Sequence, residues 1–81
     1  MDRLKKRAEL RSLLDKLGAH DVQIDRYNDR KIYVYNDSTE EEVGSAIVLS
    51  DGMCYATIHL DNGGFSNHYM PLKHFLEIYY Y

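Results

Sequence analysis

His59 and His68 flank an Asn62-Gly63 turn signal, with Asp61 beside it, and together they pose the one metal question in this sequence. A tight turn there would set both imidazoles on the open face of neighbouring strands, diagonally adjacent. Zinc needs three or four ligands converging at about 2 Å, and no spacing here matches a closed site. The expected role of the pair is structural, with hydrogen bonds to Thr57 and Ser66. Cys54 would be a nucleophile only with a depressed thiol pKa and an open approach. Strand alternation puts it on the dry side, with His59 on the other side by parity, so packing is its expected role. Gly63-Gly64 is not followed by the lysine that a phosphate loop requires. The carboxylates are scattered over turns without paired geometry. The expectation is a protein that is no enzyme and holds no cofactor and no metal.

The elements that would position these residues follow from periodicity. Asp51-Gly52 separates two apolar runs and reads as a two-residue type I′ hairpin turn. That turn pairs Leu49 with Cys54, Ile47 with Ala56, Ser45 with Ile58 and Val43 with Leu60. The expected dry face is therefore Val43, Ile47, Leu49, Cys54, Ala56, Ile58 and Leu60. Its other face sets Val48 opposite Tyr55, Ala46 opposite Thr57 and Gly44 opposite His59.

Residues 2–17 read as a helix, because Leu10, Leu13, Leu14 and Leu17 form a buried stripe and Gly18 suits the stop. Projecting that stripe backwards meets Lys6, Arg7 and Arg3, so the first two turns should overhang the core as a basic patch. Asp21–Tyr27 and Lys31–Asn36 read as strands around Asn28-Asp29-Arg30. An odd-length loop there puts Val22, Ile24, Ile32 and Val34 inside, leaving Gln23, Asp25, Tyr27, Tyr33 and Tyr35 outside. Asp37–Glu42 is an acidic connector with a capping-box pattern, Ser38 and Glu41. A two-residue turn at Asn62-Gly63 makes Leu60 face Phe65 and Ala56 face Tyr69, with both aromatics inside. Asn67 then also points inward, a flaw that a bulge near Gly64 would repair. Pro71 suits the first position of a closing helix with Leu72, Phe75, Leu76 and Tyr79 buried. Tyr79-Tyr80-Tyr81 cannot all enter one core.

At 81 residues the chain is a single domain, 1–81, with a thin core. The expected fold is α+β: an N-terminal helix, a five-stranded antiparallel meander and a short C-terminal helix, both helices on one face. The longest apolar run is too short for a membrane span, and charged residues follow Met1 at once. With a single cysteine, a cytoplasmic location is expected. The net charge of −3 hides an asymmetry. Residues 1–16 carry six basic and three acidic side chains, +3, whereas 17–81 carry four basic and ten acidic, −6. An acidic body disfavours phosphate-backbone binding, although the basic helix offers an alternative as a small nucleic-acid-binding or regulatory domain.

Eight tyrosines without a tryptophan are the unusual feature. Tyr27, Tyr33, Tyr35, Tyr55, His59, His68 and Met70 should project from the open sheet face. Tyrosine offers large contact area at small entropy cost, although it also simply covers pleated surfaces well. The expected partner-binding set is Tyr27, Tyr33, Tyr35, Tyr55, His59 and His68, with Arg3, Lys6 and Arg7 as a secondary basic patch. The partner would be another protein or a ribonucleoprotein complex, with no membrane involved; a structural homodimer is the third reading. In size, acidic body, lack of motifs and simple α/β make-up, the chain resembles the small phage and mobile-element inhibitors of host machinery, anti-CRISPR proteins among them. That resemblance implies stoichiometric blocking of a nuclease or surveillance complex. It rests on build and assigns no site residue.

Overall fold

A computed structural model describes the backbone of residues 3–80 and the side chains of residues 7–80. Helix α1 (Arg3–Lys16) is followed by β1 (Gln23–Ile24), β2 (Lys31–Tyr35), β3 (Glu42–Val48), β4 (Met53–His59) and β5 (Phe65–Pro71), and α2 (Leu72–Tyr80) closes the chain. The strands form one antiparallel sheet in sequential order, and residues of both helices join the core on one of its faces. This is the α+β meander expected. Pro71 ends β5 rather than opening α2.

The stop of α1 follows from Gly18, which adopts φ +83°. Ala19 donates to the Leu14 carbonyl at 2.9 Å and Gly18 to the Asp15 carbonyl at 3.1 Å, the paired bonds of a Schellman cap. Ala19 and Leu14 are both fully buried, so the cap is also a core contact. Of the leucine stripe, Leu10 and Leu14 are buried and Leu17 packs beside them, while Leu13 is exposed.

The central hairpin departs from the expected register. Its loop has three residues, Ser50-Asp51-Gly52: Leu49 donates to the Met53 carbonyl at 2.8 Å and Gly52 to the Leu49 carbonyl at 3.3 Å, with Gly52 at φ +86°. The next hairpin repeats this with Asp61-Asn62-Gly63: Leu60 donates to Gly64 at 2.9 Å, Gly63 to Leu60 at 3.0 Å, and Gly63 has φ +87°. Both are type I turns closed by a left-handed residue, a place for glycine. The Asp51 and Asn62 carboxyl and amide oxygens accept the Met53 and Gly64 N–H groups, which holds the turn in this form.

One extra loop residue reverses the face of each strand paired through it. Val48 now opposes Cys54, Ala46 opposes Ala56 and Gly44 opposes Ile58. The dry face expected of Val43, Ile47, Leu49, Cys54, Ala56, Ile58 and Leu60 is therefore corrected on its β3 half. Gly44, Ala46 and Val48 are buried in place of Ile47 and Leu49. Val43 still packs against the core, because the ladder shifts there: Val34 pairs with Gly44 but Tyr35 with Glu42, leaving Val43 as the extra residue of a bulge. Leu60 lies in the turn and is exposed. On β1 and β2 the expected parity holds, with Val22, Ile32 and Val34 buried and Ile24 packed beside them.

The inner face of β3 and β4 is thus small at its middle, with Gly44, Ala46, Cys54 and Ala56 between Val48 and Ile58, and α2 supplies volume over it. Leu72, Phe75 and Leu76 of α2 are buried, and Phe75 meets Tyr79 edge-on with ring centroids 5.3 Å apart. Tyr79 Oη donates to the Val43 carbonyl at 2.9 Å. Gly44 permits this approach, since a Cβ there would overlap the Tyr79 hydroxyl and ring.

The face assignment predicts that Ile32→Ala, at a fully buried site, costs about 2–5 kcal/mol. Ile47→Ala should cost well under half of that, because Ile47 stands on the outer face. Urea unfolding of both variants checks this, and equal losses would contradict the register.

Candidate functional site

Among the described residues, four of the five exposed Tyr and Phe side chains, Tyr35, Tyr55, Phe65 and Tyr69, stand on the outer face of the sheet. The register aligns Tyr55 with Tyr69, Thr57 with Asn67 and His59 with Phe65 across β4 and β5, and sets Ile47 beside Tyr55 and Ser45 beside Tyr33. Tyr55 is 58 % exposed, Phe65 64 % and Tyr69 55 %. Their rings pair across the strands: Tyr55 and Tyr69 at 5.2 Å between centroids, and His59 edge-on to Phe65 at 4.9 Å. Between these pairs Thr57 donates to Asn67 Oδ1 at 2.9 Å, so each β4–β5 row is tied side chain to side chain. A shallow depression of about 370 Å³ lies among Ile47, Tyr55, Thr57, Asn67 and Tyr69.

The β2 side of this face is held by side-chain contacts. Tyr33 Oη donates to Asp25 Oδ2 at 2.6 Å, while the other Asp25 oxygen accepts the N–H groups of Tyr27 and Asn28 at 2.7 and 2.9 Å. One carboxylate thereby fixes both the β1–β2 loop and a face residue. The Lys31 ammonium sits 5.3 Å from the Tyr33 ring centroid, and Tyr33 and Tyr35 lie 6.3 Å apart. At the far end of β3, Glu42 Oε2 lies 3.1 Å from His59 Nε2.

Of the residues expected to bind a partner, Tyr33, Tyr35, Tyr55 and His59 share this face. Tyr27 lies in the β1–β2 loop and is 79 % exposed. His68 is corrected: it pairs with Ala56 on the helix side of the sheet and contacts Ser66 there. Met70 likewise packs against the core. His59 and His68 therefore stand on opposite faces and cannot share a ligand, and His59 pairs with Glu42 rather than Thr57. Among the described residues no three His, Cys, Asp or Glu side chains group to hold a metal ion. Burial pushes the Cys54 thiol up to about 11, away from the thiolate a nucleophile needs.

Phe65, Tyr69, Asn67, Ile47 and Met53 are face residues the expected register had placed elsewhere or left unassigned. For the β5 residues the signal was Asn67 itself, since turning it outward also turns out Phe65 and Tyr69.

The basic patch is corrected at Arg7. Its guanidinium reaches the Ile24, Asp25 and Arg26 carbonyls and the Asp29 carboxylate at 3.2 Å. Arg11, one turn on, donates to the Val22 and Ala19 carbonyls at 2.6 and 2.8 Å. These arginines clamp the segment around β1, and Arg7 is not a free prong for phosphate. The side chains of Arg3 and Lys6 lie outside the described residues. A separate depression of about 530 Å³ is ringed by Asp21, Gln23, Tyr35, Asn36, Asp37 and Glu40; its acidic rim suits no anionic ligand.

The Asp25–Tyr33 bond gives a pH signature. It holds the Asp25 carboxyl below its ordinary 3.8, helped by the Tyr27 N–H, and pushes Tyr33 from 10.0 up to about 12. A depressed carboxyl stabilises the fold above its ordinary pKa and loses that contribution as pH falls through the folded value. A raised phenol stabilises below its ordinary pKa and loses that contribution as pH rises from 10 towards 12. Tyr33→Phe should therefore flatten both limbs of stability against pH. Tyr79 and Tyr80, raised chiefly by burial, leave part of the alkaline limb. Urea midpoints measured across the pH range check this, and unchanged limbs would contradict the bond.

Comparison with protein-family models, with characterised proteins and with solved structures finds no match for this chain, so its function must be read from the face itself.

Proposed function

We propose that this chain is a non-enzymatic protein-binding module whose outer sheet face docks on a partner protein or ribonucleoprotein. The observation that carries the reading is the grouping of Tyr55, Phe65 and Tyr69, each more than half exposed, on one face braced by cross-strand contacts. Exposed rings held in place by neighbours lose little freedom on binding, and a patch of adjacent aromatics is what protein interfaces use as anchors. The helix side is filled by the chain's own core, which leaves this side for a partner.

The finer proposal is that binding is the whole activity. The chain would act as a stoichiometric inhibitor, as in the small phage and mobile-element inhibitors it resembles in build. An acidic body of this size suits occupation of a basic surface on a nucleic-acid-processing complex. The nucleic-acid reading through α1 loses support, because Arg7 and Arg11 are engaged with backbone carbonyls.

Affinity capture from the cells that make this protein tests the site. A partner held by the wild type should be lost with Tyr55→Ala and Tyr69→Ala, each weakening binding by about 1–2 kcal/mol or more, with circular dichroism unchanged. Tyr33 is not a clean probe, since its hydroxyl also holds the Asp25 loop. A partner lost with Lys6→Glu yet indifferent to both tyrosine changes would move the site to the helix and overturn the proposal.

A further inference from the structure

The two edges of the sheet are built differently. β1 is two residues long, and arginines from α1 occupy the carbonyls on and around it. β5 runs seven residues with β4 on one side and, among the described residues, no strand on the other. Its sequence, Phe-Ser-Asn-His-Tyr-Met-Pro, contains no Lys, Arg, Asp or Glu, and its register with β4 is unbroken. Charged side chains, bulges and prolines are devices that usually blunt an open edge; from Phe65 to Met70 β5 has no acidic, lysine or arginine side chain, bulge or proline, and Pro71 comes only at its last position.

The turn determines which backbone groups point outward. The Leu60–Gly64 bond closes the β4–β5 ladder with a hydrogen-bonded pair, and antiparallel ladders alternate bonded with non-bonded pairs. Ser66, His68 and Met70 therefore bond inward to β4. The N–H and C=O groups of Phe65, Asn67 and Tyr69 point away from the sheet. Pro71, which has no N–H to offer, falls at the next outward position, where none is needed by β4.

We infer that β5 is the interface of a two-fold homodimer, in which it pairs antiparallel with β5 of a second copy, Asn67 opposite Asn67. Its residue order is self-complementary. Phe65 and Tyr69 lie symmetrically about Asn67, so the two-fold sets Phe65 of each copy against Tyr69 of the other, an aromatic cross-strand pair made twice. An uncharged strand meets its own copy without like charges opposed. Asp61 precedes one end of β5 and Lys73 follows the other, both exposed. Antiparallel pairing brings the acidic turn of each copy to the basic helix start of its neighbour. The His59–Phe65 and Tyr55–Tyr69 rows then join across the axis, and two five-stranded sheets become one with a continuous aromatic face. This interface uses the edge and stands whether or not a partner occupies the face.

Sedimentation equilibrium of the full chain over rising concentration tests the pairing. The wild type should move from the 9.5 kDa monomer to twice that mass. Asn67→Lys and Asn67→Glu should each stay monomeric, because like charges then face each other across the axis, and an equimolar mixture should recover the dimer. Phe65→Glu, at an exposed site, should also abolish the dimer with circular dichroism unchanged, and it serves if either Asn67 variant folds poorly. A wild type monomeric throughout would overturn the inference. So would a dimer that Asn67→Lys and Phe65→Glu both retain, or two folded Asn67 variants whose mixture stays monomeric.

Discussion

Everything on the sheet depends on a glycine in the left-handed conformation as the third residue of two consecutive turns. Gly52 and Gly63 have nearly the same φ and close loops with the same hydrogen-bond pattern. A type I turn followed by such a residue adds one position to each loop relative to a two-residue turn. Because strand side chains alternate with period two, that position decides which half of β3 and of β5 meets the helices. Small residues go in, as Gly44, Ala46 and Ala56, and large ones go out, as Ile47, Phe65 and Tyr69. Where Gly44, Ala46 and Ala56 leave the inner side low, bulky partners are needed, and Phe75, Leu76 and Tyr79 of α2 meet that need. The exposed aromatic face and the tight seat of Tyr79 over Gly44 are two results of the same turn geometry.

At the other side of the molecule polar contacts add to the burial of Val22 and Ile32. β1 is too short to hold itself by ladder bonds, and Asp25, Arg7 and Arg11 replace what the ladder lacks. Asp25 gathers the loop and Tyr33, while the arginines satisfy carbonyls that would otherwise face outward from a sheet edge. Charged groups donating to half-buried carbonyls make stronger bonds than neutral ones. The basic character of α1 is thus partly structural, which explains how a helix with little apolar face beyond its leucines docks at all.

Much of this architecture is legible in the residues. Element order, the Gly18 stop, the parity of β1 and β2 and the helical stripe of α2 follow from periodicity and turn chemistry. The faces of β3 and β5 are not, because Asp-Gly and Asn-Gly serve two- and three-residue loops alike. A preference for large apolar groups inside then favours the wrong register: it buries Ile47 and Phe65 and strands Asn67 among them. The residue that fits worst was the better guide. Tyr33, Tyr35, Tyr55 and His59 reach the face in either reading, since their parity is the same in both, whereas Tyr69 and Phe65 reach it only in the true one. The engagement of Arg7 depends on which carbonyls the short β1 leaves open, a tertiary fact that helix spacing does not contain.

The register that creates the aromatic face is the central claim, and cross-strand contacts between α-protons measured by NMR test it most directly. Non-hydrogen-bonded antiparallel pairs bring their α-carbons closest, so Ala46–Ala56, Thr57–Asn67 and Tyr55–Tyr69 should give strong α-proton cross-peaks. Cross-peaks joining Ile47 with Ala56 and Ala56 with Tyr69 instead would mean two-residue turns, buried aromatics and no such face.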